Sequence, residues 1–349
     1  MTSTEQGYKD PEKKIGEVVL DVRDLRTYLY TRWGITKAVD GLNFQVREGE
    51  TLGIVGESGC GKSMTALSLL RLAPKPAART VSGQIFLEGE DILERPESDM
   101  RFIRGQKISM ILQDPMTSLN PVYTVGNQMH EGLGMYYKEE ESSGIKARAV
   151  DILRRMGVAA PERRVLDYPH QMSGGMKQRV VGAMAISGTP RVLICDEPTT
   201  ALDVTIQAQY LRLLKQVQAD TGVAIIFITH DMGVIAKMCD RVMVMYAGKV
   251  VETGELRPLF KNPSHPYTKA LMASVPSMDA AHVDKLYSIE GQPPALFDLP
   301  VGCRFANRCE FADEKCIAEY PPTFADEDGH TADCWRLEGQ WKQVADAVV

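Results

Sequence analysis

The stretch TLGIVGESGCGKS, Thr51 to Ser63, decides the fold. Thr51 to Val55 form a short apolar run of strand length, the pattern of a strand buried on both faces. Gly56-Glu57-Ser58-Gly59-Cys60-Gly61-Lys62-Ser63 then fits G-x-x-x-x-G-K-S/T, and the helical KSMTALSLLRLA follows. In this strand–loop–helix context the glycines permit the dihedrals of a tight turn. The loop amides point at an anion, and the helix dipole adds positive potential. Gly56, Ser58, Gly59, Cys60, Gly61 and Met64 thus wrap a phosphate group, Lys62 reaches the β- and γ-phosphates, and the Ser63 hydroxyl ligates Mg²⁺. A ligand-free glycine turn is the bland alternative, and the complete motif with both flanks outweighs it.

Around this stretch lies a chain of 349 residues, room for roughly two domains at about 150 residues each. Apolar types make up 44% and charged types 25%, a globular composition. Forty Lys and Arg against 46 Asp and Glu leave a net charge of −6, which disfavours general affinity for nucleic acid or anionic lipid. The opening MTSTEQGYKDPEKK has no apolar core of a secretory signal, and the odd total of seven cysteines argues against a fully paired disulfide framework. A reducing cytosolic setting is expected. No apolar run approaches the roughly 18 to 20 residues of a membrane span, so any membrane role is expected to be peripheral.

From Gly16 onward strands alternate with amphipathic helices. VLICDE (Val192 to Glu197) and VAIIFITH (Val223 to His230) read as further buried parallel strands. LDVTIQAQYLRLLKQVQADTG reads as a helix beginning near Asp203 and stopped by Gly222, and RVMVMYAGKVVETG as a hairpin turning at Ala247-Gly248. The expected class is α/β with a mostly parallel sheet. Residues 1–15 are charged and expected to fray, about 114–171 read as an inserted helical subdomain, and 259–349 as a separate, irregular, Pro-rich small domain. No second copy of the motifs occurs.

Two further motifs belong with the loop. Asp196-Glu197 ends an apolar strand, where a nucleotide-binding sheet presents its carboxylates; Asp196 suits Mg²⁺ and Glu197 the attacking water. Alone, such a pair is as often a helix cap. Ser173-Gly174-Gly175, opening the helical MKQRVVGAMAIS, makes a second anion-binding helix N-terminus. Phosphates already cradled by residues 56–63 leave no place for it within one chain, so two copies sharing nucleotides is the economical explanation.

With GESGCGKS, MSGGMKQR and LICDEPTTALD in this order, the sequence resembles the ATP-binding cassette (ABC) ATPases over about Gly16 to Pro258; Met172 stands where Leu is usual. The resemblance implies an ABC-type nucleotide-binding domain: a P-loop RecA-like core, an antiparallel β part and an inserted helical subdomain. It also implies a head-to-tail dimer sandwiching ATP. Carried onto this chain, Gln113 senses Mg²⁺, Asp203 is the aspartate of the dimer loop, and His230 contacts the γ-phosphate. Family members stack adenine on an aromatic upstream of the P-loop, which falls on Trp33, with Tyr28 and Tyr30 as competitors.

Cys303, Cys309, Cys316 and Cys334 crowd the tail with five, six and 17 residues between them. Four thiols in a cytosolic stretch point to a metal; no C-x-x-C knuckle favours zinc, and four thiolates suit an iron–sulfur cluster. The tail also resembles that of the oligopeptide and dipeptide importer ATPases, through NPSHPYTKAL, IEGQPP and GCRFANRC, as does ILQDPMTSLNP around Gln113. That resemblance implies a 4Fe-4S cluster on the four cysteines, with zinc as the alternative. Of the remaining cysteines, Cys195 and Cys239 read as core, while Cys60, inside the P-loop, is expected to carry a reactive thiolate.

The function expected is therefore ATP hydrolysis, with Lys62, Glu197 and His230 catalytic, energising an importer for peptides or a related solute. Partners implied are a second, related ATPase in preference to a homodimer, two membrane-spanning permease subunits and, indirectly, an extracytoplasmic solute-binding protein. The setting is the cytoplasmic face of the membrane. The rival is a non-transport cassette ATPase acting on nucleic acid or ribosomes, which the single cassette and acidic balance disfavour.

Overall fold

The computed structural model describes residues 15–200, 202–275 and 287–344. The segment expected to fray lies outside them except for Ile15. Thirteen strands run in chain order among the described residues: β1 Val18–Thr31, β2 Gly34–Arg47, β3 Thr51–Val55, β4 Ala78–Leu87, β5 Glu90–Asp91, β6 Ile108–Ile111, β7 Val192–Asp196, β8 Ala224–Ile228, β9 Arg241–Tyr246, β10 Lys249–Glu255, β11 Phe324–Ala325, β12 Thr331–Ala332 and β13 Lys342–Gln343. They form a four-stranded antiparallel sheet, β2-β1-β4-β5, and a nine-stranded sheet, β13-β11-β12-β10-β9-β3-β8-β7-β6. Parallel pairing links β6, β7, β8, β3 and β9. The expected parallel core is present, and the strands at 51–55, 192–196 and 224–228 are those read from the apolar runs.

These central strands are buried at every position, and their side chains alternate between two cores as the two-residue period of a strand requires. Leu52, Ile54, Val192, Ile194, Ile226 and Ile228 point towards β1, β2 and β4, where Val22, Leu42 and Phe44 meet them. Val55, Leu193, Cys195, Ile225 and Phe227 point the other way, towards Leu133, Leu153 and Val180 of the helical side. The sheet is therefore covered on both faces, and its polar work is confined to its edge.

The insert holds helices Val125–Tyr136 and Ser142–Arg155, flanked by the short turns Pro115–Ser118 and Pro161–Arg164. Helix Val204–Thr221 starts where expected: Asp203 accepts from the amides of Thr205 and Ile206, and Gly222 closes it with φ 71°. The β9–β10 hairpin turns on Ala247 (φ 45°) and Gly248 (φ 85°), both in the left-handed region that its tight turn demands.

The tail corrects the expectation of a separate domain. β12 pairs with β10, Glu252 opposite Ala332 and Thr253 opposite Thr331, so 324–343 extends the cassette's own sheet. The fully buried Glu252 fastens it: one carboxylate accepts from the amides of Ser264 (2.6 Å) and His265 (3.0 Å) and faces His330 Nε2 at 2.7 Å. Its own core is small, Phe324, Ala332, Cys334 and Leu337 with Trp335 and Trp341, too little to stand alone. The sequence concealed this because two-residue strands leave no periodicity to read.

Candidate active site

The P-loop joins β3 to helix Lys62–Leu69, and two of its glycines are dictated by packing. A Cβ on Gly56 would lie 2.2 Å from the Met245 carbonyl oxygen, and one on Gly61 would lie 2.1 Å from that of Ala38. Gly59, with φ 78°, faces open space, and Ser58 and Ser63 are exposed. Lys62 is buried, its ammonium donating to the carbonyls of Gly56 (2.8 Å) and Glu57 (2.9 Å) in the curl of the loop. Met64 is half-buried behind them.

Three strand ends, of β6, β7 and β8, converge on one carboxylate. Glu197 follows β7 with φ 45°, a left-handed conformation costly for a side-chain-bearing residue, and its amide donates to Ile228 at the end of β8. Its Oε2 accepts from Gln113 Nε2 at 3.2 Å and from the Thr200 hydroxyl at 3.0 Å, and its Oε1 lies 3.1 Å from His230 Nδ1. Burial pushes this carboxyl up, but the hydrogen bonds of His230 and Thr200 and the charges of His230 and Lys62 outweigh it, leaving it below the ordinary carboxylate range. It is an ionised acceptor at neutral pH. Thr200 is the member that the sequence reading missed; its place three residues after Glu197 is a signal only once the left-handed turn is known.

Asp196, one residue earlier, is buried, and desolvation raises its carboxyl, with the Ser63 hydroxyl bond pulling the other way. Its Oδ1 accepts no hydrogen bond among the described residues. A buried carboxylate oxygen left open beside a serine hydroxyl is a hard-donor pair that fits Mg²⁺.

The second motif lies on the helical side. Ser173 caps helix Gly174–Ile186 by accepting from the Met176 amide at 3.4 Å. A Cβ on Gly174 would meet nothing within 4 Å, so no contact among the described residues requires glycine there, whereas one on Gly175 would press Ile206 at 2.9 Å. Asp203, also exposed, acts within the chain as a helix cap.

Upstream, Trp33 sits at the tip of the β1–β2 hairpin, 69% exposed, with the Arg32 guanidinium 4.6 Å from its ring centre. Tyr28 is engaged, its hydroxyl donating to Asp40 at 2.6 Å, while Tyr30 is partly exposed. Phe297, also exposed, approaches the hairpin at Gly34, a neighbour that its distance in sequence concealed.

Two cysteine expectations change. Cys60 is 4% exposed, and burial raises its thiol despite the neighbouring Lys62, so it is no accessible thiolate. Cys303, Cys309, Cys316 and Cys334 do line one small cavity, which Phe305, Phe311 and Trp335 share. Among the described residues no three His, Cys, Asp or Glu side chains are arranged to hold a metal ion. Burial raises all four thiols, Cys303 to about 12. This arrangement therefore gives no support to the expected 4Fe-4S cluster or to zinc.

Comparison with known proteins gives the family. The family described as ABC transporter matches residues 39–200, and the one described as oligopeptide/dipeptide transporter, C-terminal region, matches 251–316, beginning within β10. The chain is 51% identical over 320 residues to the "Probable peptide ABC transporter ATP-binding protein y4tR" of Sinorhizobium fredii, covering 92% of this chain and 95% of that one. The chain belongs to the peptide-transporter family of ABC ATP-binding proteins. Within this family the dipeptide transport ATP-binding protein DppD of Bacillus subtilis is 47% identical over 319 residues, 91% of this chain and 95% of its own. Among solved ABC structures, the dimeric post-hydrolysis state of the cassette MJ0796 bound to ADP and Pi superposes with a TM-score of 0.61 at 25% identity, covering 68% of this chain and 99% of that one. The ABC fold thus accounts for about two thirds of the chain, and the tail is an addition to it.

Proposed function

We propose that this chain is the ATP-hydrolysing subunit of an importer for peptides or a closely related solute. The observation that carries the reading is Glu197, held by hydrogen bonds from Gln113 and Thr200 and faced by His230, next to the open oxygen of Asp196, at the edge where the P-loop emerges. In this reading Glu197 accepts a proton from the attacking water and His230 orients it. Lys62 leaves its loop carbonyls for the β- and γ-phosphates as charge develops there. Ser63, Gln113 and Asp196 would hold Mg²⁺, which supplies further charge neutralisation when bound. Trp33 stacks on the adenine.

Ser173, Gly174, Gly175 and Asp203 complete the site of a second ATPase subunit across a head-to-tail dimer, with a related ATPase favoured over a second copy; the exposure of Ser173, Gly174 and Asp203 supports this. Closure and reopening pass through Gln113 to the helical subdomain of about residues 114–171. Its exposed Val122, Tyr123, Leu166 and Tyr168 lie close together, because the Val125 and Gly126 amides donate to Asp167 and Val165, and they offer an apolar surface to two permease subunits. No helix among the described residues is long and apolar enough to cross a membrane. Attachment is peripheral, at the cytoplasmic face, with an extracytoplasmic solute-binding protein delivering cargo. The reading divides the chain into a cassette, 16–258, and an extension, 259–349, docked on β10.

Membranes containing the chain provide the test. Two permease subunits are expected to co-purify with it, and short peptides with the binding protein should raise ATP hydrolysis several-fold. Stimulation by nickel or glutathione and not by peptides would overturn the solute class, and absence of ATP hydrolysis would overturn the whole reading.

A further inference from the structure

Glu57 is a carboxylate inside a loop whose task is to hold triphosphate, and left alone it would oppose the ligand. It is not left alone. Arg308, from the turn Ala306–Arg308 of the extension, meets it with two parallel hydrogen bonds, Nη1 to Oε2 at 2.7 Å and Nη2 to Oε1 at 2.9 Å. The Arg308 side chain is 4% exposed. Its other donors are fixed as well, Nε to the Glu290 carbonyl at 3.0 Å and Nη1 to the Tyr246 hydroxyl at 3.2 Å. The Glu57 amide in turn donates to the hydroxyl of Tyr267, also from the extension, at 2.8 Å. Tyr267 is fully buried in a ring cluster with Tyr246 and Phe305, centroids 4.6 and 5.4 Å away.

The far side of the loop is braced from the same peptide. Arg304 pairs with Asp40 and donates to the Ala247 carbonyl at 2.5 Å. The next residue, Gly248, donates its amide to the Cys60 carbonyl at 2.8 Å. One short run of the tail therefore sets both the charge and the shape of the P-loop, 251 residues away in sequence.

Resting on the proposed ATPase activity, we infer that Arg308 is a positioning residue for nucleotide: it neutralises and fixes Glu57, so the extension is a working part of the ATP site. Bidentate pairing suits this role because a guanidinium fork holds a carboxylate in one orientation, which a lysine cannot do.

The test is steady-state hydrolysis by the full chain, with melting temperature as the fold control. Arg308→Gln is expected to raise the KM for ATP about tenfold, with kcat within about twofold, because an unpaired carboxylate then faces the phosphates. Glu57→Gln combined with Arg308→Gln removes both charges and is expected to return KM to within about threefold of the parent. A scaffold role alone would leave the double variant as impaired as the single one. An unchanged KM in R308Q, or a double variant no better than R308Q, overturns the inference. If R308Q does not fold, the double variant is read by itself, and a tenfold loss of affinity overturns the inference. Absence of hydrolysis by the parent chain would instead refute the ATPase reading.

Discussion

The side-chain amide of Gln113 donates to Glu197 across 84 residues of sequence, Nε2 to Oε2 at 3.2 Å. The contact joins the strand that enters the helical subdomain to the carboxylate proposed to accept the proton of the attacking water. In the proposed mechanism, a residue that reports on the subdomain therefore touches the group that decides turnover.

Replacing Gln113 by Glu puts a second carboxylate against Glu197. The native environment leaves Glu197 below the ordinary carboxylate range, so the acid limb of kcat should lie below that range in the parent protein. Like charge raises that pKa, and the limb in Q113E should move up by about one unit, activity being lost as pH falls through it. A pH–rate profile measures this, and an unmoved limb would separate the two residues functionally.

Trp33 presents an open aromatic face at the hairpin tip. Base stacking on an aromatic contributes about 1–3 kcal/mol, so Trp33→Ala should weaken ATP binding about tenfold with kcat little changed. Nucleotide titration by calorimetry reads it directly. An equal affinity would pass the role to Phe297 or Tyr30.

Cys60 gives a chemical prediction opposite to the one its sequence position suggests. Because the thiol is buried and its pKa raised, N-ethylmaleimide at pH 7 should leave the Cys60 peptide unmodified in the native protein, by mass spectrometry, and ATP binding intact. Rapid labelling of that peptide would contradict the burial.

His265, fully buried, caps helix Pro266–Ala273 by accepting from the Tyr267 amide, and burial lowers its pKa to about 4. The unfolded chain takes up this proton near pH 6.5 and the folded chain only near pH 4, so stability is present above pH 6.5 and lost as pH falls across that window. His265→Asn should shrink the loss between pH 7 and pH 5 by about 2 kcal/mol in urea unfolding. An unchanged slope would place the acid sensitivity elsewhere.

Much of the site was legible because its chemistry is local. GESGCGKS, the strand ends at Asp196 and His230, and the Asp203 cap are short motifs whose neighbours in sequence are their neighbours in space. Thr200 was missed because its role depends on the left-handed backbone at Glu197, which apolar periodicity does not encode. The tail misled for a related reason. Its docking rests on two-residue strands, one buried glutamate and the pairs Arg304–Asp40 and Arg308–Glu57, all formed with partners far away in the chain. Its four cysteines drew attention to a metal, whereas the two arginines beside them make the contacts that reach the nucleotide loop.

The central claim, that Glu197 is the group on which hydrolysis turns, is tested most directly by Glu197→Gln. With ATP and Mg²⁺, light scattering coupled to size exclusion should show the variant forming an ATP-dependent dimer with its ATPase partner. Phosphate release should fall at least about 100-fold. Turnover near the parent rate would contradict the account.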